Sequence, residues 1–376
     1  MSADAAILNP VSRTASGGAW SMAWRRLRRN RAGMLALTVV LAFLLCIAAS
    51  ALGWLARDWD TQVGVSFAPP SFLGATPAGT LATGTERDDP RAPVDLYGVI
   101  DPLEAEMAVL RRDTGRDVSA PTEVNGVVDP LAAELQLARQ HGARAVEARR
   151  QPTLALGADK WGRSVVWKVL KGAETSVCVG FAAALLATLL GTVLGALAGY
   201  GGGWVDALVD WLYGVFTAVP YLLLVFAIAA VLQQKGVLTI VLILGLTGWT
   251  NVYRLIRAEY IKHKAREYVQ AARAIAASHR RRMFIHILPN VSHVVLVQLS
   301  QQVVNFIKAE VILSFLGFGV PVDVVSWGSI LNETPNELIL GKWWQLATAA
   351  CAMALLVTAF AMLTDALRDA LDPRLK

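Results

Sequence analysis

The stretch GMLALTVVLAFLLCIAASALGWLA, Gly33 to Ala56, decides the fold: it contains no charged side chain. About 20 consecutive apolar residues span a bilayer core, and this run exceeds that. Ala49-Ser50-Ala51 resembles a signal-peptidase site. A secretory h-region is only about 7–15 residues long, however, so a retained anchor helix is expected. Five further apolar runs follow, near 174–199, 206–232, 237–257, 291–318 and 344–366. Of the 376 residues 55% are hydrophobic and only 17% charged, against about 25% charged in soluble domains. Mean hydropathy is +0.46. Together these exclude a secreted disulfide scaffold, a disordered regulator and a cytosolic enzyme. The expected fold is an all-α integral membrane protein with six transmembrane helices.

Charge orients those helices. Cytoplasmic flanks are enriched in Lys and Arg. Residues 1–32 form a basic N-terminus with Arg25, Arg26, Arg28, Arg29 and Arg31. The loop after the fourth run carries Arg257, Lys262, Lys264, Arg266, Arg273, Arg280, Arg281 and Arg282, and the tail 367–376 adds Arg368, Arg374 and Lys376. Six crossings place all three on one side, the cytosol. The net charge of +6 therefore points to membrane lipid and not to nucleic acid.

The first helix, 33–56, is separated from a core of five helices, 161–366, by a long insert expected in the periplasm. Residues 57–160 hold 16 acidic and 11 basic side chains, and the remainder of the chain holds 13 and 24. The insert contains a repeat of period 28: Gly98-Val99-Ile100-Asp101-Pro102-Leu103 recurs as Gly126-Val127-Val128-Asp129-Pro130-Leu131. Each copy reads as a helix start, with Asp capping free N–H groups and Pro in the first turn. Two short amphipathic helices are expected, as surface elaboration or as a binding element.

Other residues carry weaker signals. Cys46, Cys178 and Cys351 lie in apolar runs and read as buried packing residues. No spacing suggests a metal site; His279, His286 and His293 stand seven apart but among basic neighbours. Gly191, Gly195 and Gly199, four apart, predict close approach of another helix. Pro220 predicts a kink within the third crossing. In the fifth, Gln298, Gln301, Gln302 and Asn305 form a polar stripe accompanied by Lys308 and Glu310. Amides in hydrocarbon are expensive, so the stripe faces either another subunit or a translocation path. Gln298, Gln301, Gln302, Asn305 and Glu310 are the candidate path residues. Gly157 to Ser164 nearly fits a phosphate-binding G-x4-G-K-[ST] loop, but a polar flank and a following membrane helix argue against it.

The strongest pattern is in the basic loop. Glu267-Tyr268-Val269-Gln270-Ala271-Ala272-Arg273-Ala274-Ile275-Ala276-Ala277-Ser278 precedes a basic stretch and then His286-Ile287-Leu288-Pro289-Asn290. It predicts a short Ala-rich helix, a break near Ser278, and a second helix entering the membrane. This loop resembles the EAA loop, E-A-A-x3-G-x9-I-x-L-P, of permease subunits of ABC importers. The matching positions are Gln270, Ala271, Ala272, Ala276, His286, Leu288 and Pro289, with Gln for Glu, Ala for Gly and His for Ile. Ala at the glycine turn restricts φ, so a different angle between the short helices is expected. Further landmarks resemble the dipeptide/oligopeptide/nickel branch: Leu156 to Ser164, Ala198-Gly199-Tyr200, Gly202 to Asp206, Leu313 to Gly319, Ser326-Trp327-Gly328, and Asp365 to Arg374. The resemblance covers about 154–376 closely.

The resemblance implies a multi-pass subunit of a bacterial inner membrane. It implies a sister permease, two ATPase subunits and a periplasmic solute-binding protein as partners. This chain would hold no cofactor and catalyse no covalent step; ATP and Mg would bind the ATPases. It implies an ATPase-coupling loop comprising Glu267, Gln270, Ala271, Ala272, Arg273, Ala276, Ser278, His286, Leu288 and Pro289. Ala272 is expected where the ATPase approaches closest. Two alternatives are a secondary transporter, which needs inverted repeats or broken helices around an ion site, and a membrane-bound enzyme, which needs a nucleophile–base or metal set.

Overall fold

The computed structural model describes residues 19–74, 150–321 and 323–371. It divides into a helical unit built from the chain on either side of the insert, and a second unit within Asp60–Ser164. The 28-residue repeat lies outside the described residues.

Helix α1 (Ala19–Arg29) precedes α2 (Arg31–Ala51), the first crossing. The break between them is a cap: the Asn30 side chain accepts the Gly33 N–H at 3.0 Å. The core follows as α3 (Val165–Gly201), α4 (Gly203–Thr217), α5 (Tyr221–Leu232), α6 (Val237–Thr247) and α7 (Thr250–Lys264). Then come α8 (Glu267–Ala274), α9 (Leu288–Phe315), α10 (Trp327–Ile339) and α11 (Trp344–Leu371). Among the described residues, five stretches are long and apolar enough to cross a membrane, six if the bent pair α4–α5 is one crossing. The six expected crossings correspond to these.

Helix α3 is the spine, and its glycines set how closely α7 lies. A Cβ on Gly191, Gly195 or Gly199 would come within 2.7, 2.9 and 2.6 Å of the carbonyl oxygens of Trp249, Tyr253 and Arg257. Backbone meets backbone along three turns, so the stripe is a packing face. Farther along α3, Gly180 meets Ile307 of α9 in the same way.

The third crossing departs from a simple kink. α4 and α5 meet at 83°. Pro220 has no N–H to continue α4 and disfavours helical backbone in the residue before it. It instead starts α5, accepting the Leu224 N–H at 3.0 Å.

Helix α10 was not anticipated. At 13 residues it is roughly 20 Å long, too short to span. Ser326 caps it reciprocally with Ser329. The buried Trp327 anchors it, donating its indole N–H to the Val169 carbonyl at 3.0 Å and its backbone N–H to Ser176 Oγ at 3.1 Å.

The three cysteines are exposed on the chain's outer surface, not buried as expected. A membrane helix is apolar on its outward faces as well as its inward ones, so an apolar neighbourhood does not imply burial.

In the second unit the two ends of the insert are zipped together. Gly64 N–H reaches the Gly162 carbonyl at 2.9 Å, Gln151 N–H reaches the Val63 carbonyl at 2.9 Å, and Val65 N–H reaches the Gln151 carbonyl at 3.1 Å. The loop Gly157 to Ser164 is organised by Asp159, whose carboxylate accepts the N–H groups of Trp161 and Arg163, each at 2.9 Å. Amides that a phosphate loop would offer its ligand are here used by the loop's own acid.

Candidate functional site

The basic loop folds as a short helix, a tight turn and a second helix. α8 begins after Arg266 in extended conformation and carries Glu267 in its first turn, favourable at a helix N-terminus. Its buried positions are Val269 and Ala272. Three residues apart, they share one face. Val269 packs with Tyr260, Met283 and Ile287. Ala272 therefore faces its own chain, at 3% exposure, and the expectation that it meets a partner is corrected. The outward face carries Gln270, Ala271, Arg273 and Ala274, and Ile275 at the end of the helix is 79% exposed.

The turn after α8 has the hydrogen bonds of a glycine-type cap. Ala277 N–H reaches Ala272 O and Ala276 N–H reaches Arg273 O, both at 3.0 Å. Ala276 itself adopts φ 56°, the left-handed conformation normally left to glycine. The alanine thus takes the glycine geometry at some steric expense; the expected restriction of φ does not arise. Ser278 starts the next turn, its hydroxyl accepting the Arg281 N–H at 3.3 Å.

From Arg282 to Ile287 the helix widens to π geometry before α9 begins. Pro289 explains the position. It offers no N–H to the carbonyl four residues back, and its ring crowds that carbonyl. His286 is half-buried, its carbonyl accepting Asn290 Nδ2 at 2.7 Å; Leu288 is half-buried and Pro289 exposed.

Contacts that the sequence did not disclose pin this loop to the ends of the spanning helices. Tyr200, at the end of α3, places its hydroxyl 3.2 Å from His279 Nδ1. Lys264 donates to the Tyr200 carbonyl at 2.7 Å, and the Arg282 guanidinium lies 5.8 Å from its ring centroid. Tyr260 donates to the Met283 carbonyl at 3.2 Å. Asp206 of α4 holds Arg257 of α7 bidentately at 2.6 and 2.7 Å. Tyr268 lies with its hydroxyl 2.8 Å from His263 Nδ1, and partial burial pushes that hydroxyl above the usual tyrosine range. Tyr200 and Asp206 stood in the sequence beside the Gly201–Gly203 turn, but nothing local pairs them with residues 51 or 79 positions away.

The second region is a cavity of about 520 Å³ at the α4–α5 elbow, closed by the start of α7 and by α9. Gln302 braces its wall, donating Nε2 to the Gly248 carbonyl at 2.7 Å. Asn305 and Lys308 of α9 also line it, as does Asn251 of α7. Of the expected path residues, Gln302 and Asn305 are brought together here. Gln298 is buried outside this wall and Gln301 is exposed outside it. Glu310 is fully buried and accepts Ser314 Oγ at 2.7 Å, with Ser176 and Ser326 also facing it. It ties α9 to α3 and α10 and does not reach the cavity.

Residues 191–376 match the family described as binding-protein-dependent transport system inner membrane component. Residues 18–70 match the N-terminal TM domain of oligopeptide transport permease C. The chain is 37% identical over 220 residues to the dipeptide transport system permease protein DppC of Bacillus subtilis (strain 168), covering 58% of this chain and 68% of that protein. It is 36% identical to the oligopeptide transport system permease protein OppC of the same organism, covering 58% and 72%. The glutathione transport system permease protein GsiD of Salmonella paratyphi A is 37% identical over 220 residues, with 58% and 72% covered.

Proposed function

Because this chain belongs to the family of binding-protein-dependent transport system inner membrane components, we propose that it carries short peptides or related small solutes and that α8 with its following turn couples it to an ATPase. The chain is a multi-pass inner-membrane permease subunit of an ATP-driven importer, and ATP hydrolysis belongs to separate subunits. The names of its relatives support the peptide assignment.

One observation supports the coupling role above others: α8 offers an outward face, Gln270, Ala271, Arg273 and Ile275, while its base is pinned to α3 and α7. A surface held this way transmits displacement instead of absorbing it. In this reading two ATPase subunits bind ATP and Mg, and one grips the exposed face. A sister permease completes the pathway and a periplasmic binding protein delivers solute. ATP shifts the pathway between inward and outward access only by binding its two states with different affinity. Glu267, Gln270, Ala271, Arg273, Ala276 and Ser278 form or shape the contact. Ala272, His286, Leu288 and Pro289 set its angle to α9.

The test is solute-stimulated ATP hydrolysis by the assembled complex in vesicles. Stimulation by loaded binding protein that Ala271→Trp abolishes, with the complex intact, is the expected result. Full stimulation in that variant overturns the coupling assignment.

A further inference from the structure

Lys308 lies seven residues before the last residue of α9, roughly 10 Å along the helix, inside a membrane-crossing segment. It is exposed, and makes no ion pair or hydrogen bond among the described residues. An ammonium at that depth is expensive in hydrocarbon, so it must meet water, a counter-charge or a solute. It lines the elbow cavity, whose wall contains no Asp or Glu. Asn251 and Asn305 share that wall, and among the described residues neither amide is engaged within the chain. Gln302, by contrast, is committed to the Gly248 carbonyl. The cavity thus gathers one cation and two unengaged amides in a concave space of about 520 Å³, within the range of small-solute sites.

We propose that this cavity is a solute subsite that reads a carboxylate, with Lys308 pairing the carboxylate and Asn251 and Asn305 bonding the amide groups beside it. The inference rests on the peptide reading above and adds which end of the solute is held, and where. A lysine serving only as an ion-pair partner for the sister permease has no need of two free amides on the same concave wall. A pathway site must also release its ligand, and a single ammonium with neutral amides holds less firmly than a bidentate guanidinium.

The experiment uses the complete importer in vesicles, with Cys46, Cys178 and Cys351 replaced by Ser, and alanyl-alanine as solute. Lys308→Met is expected to lower uptake at least about tenfold, the loss of one charge-assisted hydrogen bond. Complex yield and basal ATP hydrolysis stay unchanged, and Lys308→Arg keeps uptake within about threefold of the parent. In a separate Asn305→Cys variant, alanyl-alanine slows alkylation by a water-soluble thiol reagent, and adding Lys308→Met removes that protection. Unchanged uptake in Lys308→Met overturns the subsite while leaving the peptide reading intact, as does alkylation that the dipeptide never slows. Loss of assembly with the sister permease in Lys308→Met also overturns it, by assigning the lysine to a subunit ion pair. Failure of the parent complex to import the dipeptide at all sinks the peptide reading, and the subsite with it.

Discussion

Adjacent alanines on α8 have opposite surroundings, and a tryptophan at each separates docking from folding. Ala271 is exposed and Ala272 is 3% exposed. At Ala271 the indole enters open space, where surface substitutions change stability by less than about 0.5 kcal/mol. At Ala272 it is driven into the face by which α8 sits on its own chain, and overpacking costs about 1–3 kcal/mol. α8 has eight residues and only Val269 and Ala272 buried, so that penalty is comparable to the whole energy seating it. The reporters are the amides of Ala276 and Ala277, which bond Arg273 O and Ala272 O. A 1–3 kcal/mol loss speeds their hydrogen exchange about 5- to 150-fold. Ala271→Trp should leave that exchange at the parent rate and abolish solute-stimulated ATP hydrolysis. Ala272→Trp should accelerate exchange and lose stimulation as a consequence. Equal exchange in the two variants would refute the assigned faces of α8.

Three further outcomes are expected. Gly195→Leu should separate α3 from α7, since even a Cβ there comes within 2.9 Å of the Tyr253 carbonyl; thermal unfolding in detergent should show a loss of at least about 1–3 kcal/mol, and a parent-like melt would contradict the packing. Asp206→Ala should free Arg257 and weaken the first turn of α4 by about 1 kcal/mol, because both side chains are partly solvated; the check is faster proteolysis near the Gly201–Gly203 turn. Ser119→Cys, in a background without native cysteines, should react with an impermeant reagent outside the inner membrane; labelling only after that membrane is opened would reverse the topology.

Sequence alone was enough for the class of molecule, because the energy of hydrocarbon burial depends on length and composition and not on the partner. Gly33 to Ala56 had to span whatever it packed against. The arginines of the N-terminus and of the 257–282 loop are likewise local features, legible as charge without any tertiary contact. The glycine spacing at 191, 195 and 199 announced a close helix contact, though not that α7 would fill it. Tertiary structure alone decided which faces turn inward. The runs are apolar all round, so nothing periodic marked Cys178 as exposed, and in α8 the adjacent alanines Ala271 and Ala272 are chemically identical until Val269 seats the helix. It also decided the 83° elbow, since proline removes one hydrogen bond but surrounding packing sets the angle. The ties of Tyr200 to His279, and of Asp206 to Arg257, join residues far apart in the chain. Such contacts exist only once α3 and α7 have met, and they fix the basic loop to the ends of those helices.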